Sequence, residues 1–134
     1  MKAWFFQFSD KLEQDWLSEG KGRLATHWRP RNYKGEYSVD DIVYLWRAGK
    51  NGGLAGWGEI VEIEDESSDG KTEKIIFVGH RIWLDKPIPR VIVFSQGSLA
   101  SHGLVGVGAV NTNFTVSIAQ AQELNELLYQ HKVE

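Results

Sequence analysis

Residues Asp41 to Ile60 read DIVYLWRAGKNGGLAGWGEI. Ile42 to Arg47 is a run of β-branched and aromatic residues, Gly49, Gly52 and Gly53 punctuate the chain, and Leu54 to Ile63 resumes an extended pattern. That is the signature of two strands around a glycine-rich turn. Trp46 and Trp57 flank the turn. An indole is large and carries a donor that needs a partner when buried, so two of them beside small glycines mark either a packed corner or a flat-walled pocket. Ile42, Tyr44 and Trp46 share one face of a strand, which also suits packing beneath a helix.

Strand composition extends outward from this hairpin. Ala3 to Phe8 (AWFFQF) has aromatics on both faces, as expected of a strand covered on two sides. Asp10 followed by Glu13 resembles a capping box, and Leu12, Trp16 and Leu17 form the apolar stripe of a short helix ending near Ser18 to Gly20. Lys21 to Tyr37 reads as irregular, broken by Gly22, Pro30 and Gly35, with Trp28 among basic and polar neighbours. Beyond the hairpin, Glu64 to Lys71 is a polar tip with the turn signal Asp69-Gly70, so Thr72 to Leu84 is expected to return as the next strand. Pro89 to Ser95 suits a further strand or a buried turn, and Gly97 to Asn113 reads as loop with a short strand near Val105 to Val110. Ser117 with Gln120 forms a second capping box, and Ile118, Ala121, Leu124, Leu127 and Leu128 stripe a final helix to about His131. Strands in the middle with a helix toward each end give an α+β class. With five to six strands and many glycines, closure of a strongly curved, mostly antiparallel sheet into a small barrel is expected.

The 134 residues suit one domain spanning 1–134, and 42% hydrophobic with 25% charged residues is ordinary for a globular protein. There is no cysteine, hence no disulfide and no thiolate metal site. The apolar run after Lys2 is too short for a signal peptide and none is long enough to span a bilayer, so a cytoplasmic location without membrane contact is the expectation. The net charge of −3 argues against non-specific coating of nucleic acid. Charge is unevenly spread: Lys21, Arg23, Arg29, Arg31 and Lys34 form a basic run, while Glu62, Glu64, Asp65, Glu66 and Asp69 crowd the polar tip.

Most chemical motifs are absent. His27, His80, His102 and His131 lack metal-ligand spacing, so no metal or other cofactor is expected. Gly103, Gly106 and Gly108 do not form a dinucleotide fingerprint, and neither Ser95 nor Ser98 sits in a nucleophile elbow. Asp40 and Asp41 precede a strand and fit a turn as well as acid-base work. What remains is aromatic residues beside basic ones, the combination that holds an unstacked base and its phosphates: Trp28, Trp46 and Trp57 with Arg29, Arg31, Asn32, Tyr33 and Arg47. Trp4, Trp16 and Trp83 lie in regular elements and read as core.

The hairpin, preceded by WRPRNY at Trp28 to Tyr33 and followed by IIFVGHRIWLDKPIP and NFTVSIAQAQELNELL, resembles an EVE domain of the PUA-like superfamily, a relative of YTH and ASCH domains. The resemblance runs over nearly the whole chain. It implies a barrel-like sheet with flanking helices and a pocket for one base of DNA or RNA. By position, Trp28 would be the first aromatic wall and Trp57 the second. Trp46, Arg47 and Ala48 would form the floor, and Asn32 and Tyr33 the mouth. Asn111 or Asn113 would approach from the loop before the last helix, while Arg29, Arg31, Lys34 and Lys21 would meet the backbone. Residues 64–74 carry acids and no aromatic where YTH domains bring a cage tryptophan, which places the chain nearer EVE than YTH. The expected function is a non-catalytic module that holds a flipped, methylated or otherwise modified base, alone or with a nuclease or other effector protein. The alternatives are an enzyme acting on modified nucleic acid or nucleosides, and a small-molecule or protein-interaction domain on the same scaffold.

Overall fold

The computed structural model describes residues 2–8, 25–28, 36–49, 52–68, 70–95, 97, 99 and 113–133. They form one six-stranded sheet with two helices: β1 (Ala3–Phe8), β2 (Ala25–Trp28), β3 (Ile42–Arg47), β4 (Gly53–Ser68), β5 (Lys71–Pro89), α1 (Arg90–Val93), β6 (Asn113–Val116) and α2 (Ile118–Val133). The strand order is β2-β5-β4-β3-β1-β6. β1 and β3 run parallel, Ala3 opposite Ile42 through Phe8 opposite Arg47, and the other pairs are antiparallel.

Both faces of the central strands are covered, as the aromatics on both sides of AWFFQF anticipate. On one face Trp4, Phe6, Phe8, Val43, Leu45 and Ile60 form a cluster with Tyr37. On the other, Phe5, Tyr44, Trp46 and Leu54 pack with Leu124 and Leu128 of α2. The first face is concave. In a flat sheet β1 and β5 would stand about 14 Å apart at ~4.8 Å per strand, yet the rings of Phe8 and Trp83 lie 5.7 Å apart. Irregularities in β4 between Leu54 and Gly56, Trp57 and Gly58, and Ile60 and Glu62 accompany this curl, as bulges do where a sheet bends. Curvature stops short of the expected barrel: the sheet is open, with β2 and β6 at its two edges among the described residues. Each edge strand has only four residues, so little unpaired backbone is presented.

β4 and β5 pair past Glu59, the last residue of β4 opposite β3, and run on to a turn where Gly70 has φ 77°. This ribbon carries exposed Glu62, Glu64 and Asp65. It leaves the sheet at the end opposite to Arg47.

Other expectations change. β2 replaces part of a stretch read as irregular, and β6 takes residues left unassigned between the loop and the last helix, because four residues are too few to show alternation and NFTV runs straight into the cap of α2. Pro89 to Ser95 holds α1 rather than a strand, after β5 has continued through both prolines. The helix expected near Asp10 to Gly20 and the strand near Val105 to Val110 lie outside the described residues. The second capping box forms as read: the Ser117 N–H donates to Gln120 Oε1 at 2.9 Å and the Gln120 N–H to Ser117 Oγ at 3.2 Å. The apolar stripe is truer toward its end, since Leu124 and Leu128 are buried whereas Ile118 is 81% exposed.

Tyr44 fastens α2 to β3. Its hydroxyl donates to Asn125 Oδ1 at 2.6 Å, with the Ala121 carbonyl a second acceptor at 3.2 Å. Burial pushes its pKa up to about 12, against the smaller opposing effect of the Asn125 hydrogen bond. A folded-state pKa above the unfolded value of 10 means stability is fully present below pH 10 and is lost as pH rises through 12. Tyr44→Phe should cost about 1 kcal/mol at neutral pH. It should also remove the parent's alkaline loss of roughly 2–3 kcal/mol, measured by denaturant titration between pH 9 and about 12.

Candidate functional site on the concave face

Register across the hairpin sorts the residues of the opening stretch. Tyr44, Trp57 and Ile82 stand side by side on the convex face, and all belong to the core beneath α2. Leu45, Gly56 and Trp83 stand side by side on the concave face, as do Val43, Gly58 and His80. Glycine therefore occupies the position beside each of the two β5 rings. A Cβ on Gly56 would collide with the Ile82 carbonyl. The close approach leaves a side-chain-free strip, and His80 and Trp83 stack nearly parallel beside it, centroids 5.0 Å apart at 12°. Trp83 in turn stacks on Phe8 at 28°. The Arg47 guanidinium lies 5.8 Å from the centre of the Phe8 ring, within cation–π range.

This aromatic row ends where β1 and β3 end. The Ala48 N–H donates to the Phe8 carbonyl at 2.8 Å, closing the parallel pair, and Gly49 then turns the chain at φ 109°. His80, Trp83, Arg47 and Ala48 are all half-buried, so the row reaches solvent at the carboxyl ends of the two parallel strands. A stack of aromatic rings with a cation beside it is a setting that a further planar ring can extend.

The residues singled out from sequence are distributed as follows. Arg47 and Ala48 lie at the mouth of the concave face. Trp46 is 1% exposed and enclosed by Phe5 (5.9 Å, 84°), Phe94 (5.2 Å, 37°) and the Arg90 guanidinium (5.6 Å). Trp46 is a core residue in this arrangement. Trp57 is half-buried against the same convex core, on the face opposite Arg47. Trp28 ends β2 on the edge of the sheet, opposite Ile76, and thus about 13 Å along β5 from His80 at ~3.3 Å per residue. Its side chain lies outside the description, as do Asn32, Tyr33, Arg29, Arg31, Lys34, Lys21 and Asn111. Only the backbone of Asn113, in β6, is described. Sequence reading passed over Phe8 and His80 and assigned Trp83 to the core.

Asp41 belongs to the fold. It is 2% exposed. It accepts three hydrogen bonds, from the Lys2 N–H at 3.0 Å, the Trp4 indole at 3.1 Å and the Ser38 N–H at 3.0 Å. Asp40, exposed at φ 77°, completes the turn. Among the described residues no helix is long and apolar enough to cross a membrane.

Solved structures share this arrangement over almost the entire chain. A protein from Leishmania major superposes with a TM-score of 0.76 at 18% identity, covering 98% of this chain and 97% of that one. One from Pseudomonas syringae gives 0.72 at 16%, covering 93% and 98%. ZmASCH from Zymomonas mobilis, solved as a point variant, gives 0.54 at 10%, covering 95% and 99%. The chain has a PUA/ASCH-like α+β fold. No family model matches the sequence, and no curated protein does.

Two substitutions test this geometry. Gly56→Ala should cost about 2 kcal/mol, because the methyl meets backbone rather than a yielding side chain. Asp41→Ala should cost about 3 kcal/mol by stranding a buried indole donor and two backbone donors. Thermal and denaturant midpoints measure both.

Proposed function

We propose that this chain is a non-catalytic nucleic-acid-binding module that holds one extruded, modified base on the concave face, at the carboxyl ends of β1 and β3. The observation that carries the proposal is the stack of half-buried His80 and Trp83 on buried Phe8, with half-buried Arg47 beside Phe8. Bases bind such rows through their faces whatever their sequence, and a nearby guanidinium favours the phosphate or the edge of the base. The charge distribution supports the same orientation. Acids on the ribbon lie at the far end of the sheet, where they repel phosphate, and leave the Arg47 end open to it.

The EVE resemblance of the sequence and the ASCH relatives of the fold point in the same direction. The EVE resemblance further assigns Trp28, Asn32 and Tyr33 to base contacts and Arg29, Arg31, Lys34 and Lys21 to the backbone; of these only the backbone of Trp28 is described, opposite Ile76 toward the acidic ribbon. The site works in the cytoplasm, and an associated nuclease or other effector adds affinity and consequence. One stacked base supplies about 1–3 kcal/mol, so the isolated chain binds in roughly the micromolar range.

Fluorescence titration with short oligonucleotides that carry methylated or unmodified bases tests this. Parent protein should prefer a modified base, and Trp28→Ala and Trp83→Ala should each weaken binding at least about fivefold. Circular dichroism should show both variants folded. Parent-like affinity in both variants overturns the proposal.

A further inference from the structure

Register fixes the order of the rings on the concave face. His80 stands level with Gly58 and Val43, Trp83 with Gly56 and Leu45, and Phe8 with Arg47 and Gly53. Along the strand direction Trp83 therefore lies between His80 and Phe8, stacked on both. The His80 end points to the level of Trp4 and Val43, which are buried. The other end points to the mouth, because Phe8 and Arg47 are the last residues of β1 and β3. Yet Phe8 is itself fully buried. Its neighbour on β3 is Arg47, a long, half-buried side chain whose guanidinium lies 5.8 Å from the ring centre.

We propose that the Arg47 guanidinium is the movable cap of this stack: it rests on Phe8 until a base arrives, then gives up its place to the base and turns to that nucleotide's phosphate. This role presupposes the base-binding reading above and adds a selectivity to it, for a nucleotide over the bare nucleoside. A guanidinium suits both positions. It is planar and weakly hydrated, so it stacks on an aromatic ring, a contact worth a factor of about two to five at a partly exposed site. A phosphate offers a full opposite charge and accepts two parallel hydrogen bonds from the same group, which draws it off the ring. An uncharged nucleoside offers no such exchange and must displace the guanidinium unaided. The chain leaves room for the turn. After Ala48, Gly49 bends away at φ 109°, and no described atom lies within 4 Å of the place a Cβ on it would occupy.

NMR titration with methylated adenosine and methylated cytidine, each as the free nucleoside and as the nucleoside monophosphate, tests this exchange. Arg47→Ala should bind the nucleosides about two- to fivefold more tightly than the parent, because nothing has to be displaced. It should bind the monophosphates at least about threefold more weakly, because the charged partner is gone. Arg47→Lys should retain the preference for the monophosphates, since the charge is kept. In the parent, the Arg47 side-chain protons should resonate upfield under the Phe8 ring current and return downfield as a monophosphate saturates the site. A merely structural arginine would instead lower the thermal midpoint and weaken both ligand types alike. Nucleoside binding that is unchanged or weaker in Arg47→Ala, or Arg47 resonances that stay upfield at saturation, overturns the proposal. A parent that binds none of these ligands overturns it too, and the oligonucleotide titration of Trp83→Ala then decides separately whether the base-binding reading stands.

Discussion

The segment Gly56-Trp57-Gly58 imposes the constraint on which the site depends. Alternation along a strand sends the indole to one face and two hydrogens to the other. On the convex side Trp57 adds to the core under α2. On the concave side the missing side chains let β4 approach the β5 backbone so closely that a methyl on Gly56 would strike the Ile82 carbonyl. The sheet can then curl until rings from β1 and β5 meet across the strands between them. A side chain at either glycine would stand beside His80 or Trp83 and break the flat row.

That division answers the two ways of reading tryptophans beside glycines. Both apply, on opposite faces. Trp46 and Trp57 are the packed corner, held by Phe5, Phe94 and the helix side of the core. The glycines themselves make the flat wall, and the rings that use it come from β5 and β1.

Much of the fold is legible in the sequence because each legible element carries its signal locally. The capping box at Ser117 and Gln120, the Asp69-Gly70 turn and the doubly apolar β1 all depend on neighbours a few residues away. The four-residue edge strands are too short for a period, and whether the sheet closes depends on how β2 and β6 are placed, which no local pattern encodes. The site lies between these cases. One-to-one counting back from the turn at 69–70 puts Gly56 opposite Trp83, so half of the row could have been read. Gly58 faces His80 only because of the irregularity between Ile60 and Glu62, which shifts the pairing by one. Phe8 joins by way of curvature, a property of the whole sheet. Asp41 illustrates the converse: a carboxylate that sequence leaves open to catalysis is enclosed by three N–H donors.

The central claim is that a base stacks on the concave row at the carboxyl ends of β1 and β3. The indole N–H resonances of the tryptophans report on it directly, since Trp83 lies in the row while Trp4 is held against Asp41 at the opposite end of β1. With resonances assigned by single Trp→Phe variants, adding an oligonucleotide with one modified base should shift the Trp83 indole and leave that of Trp4 in place. An unmoved Trp83 resonance under saturating oligonucleotide would contradict the account.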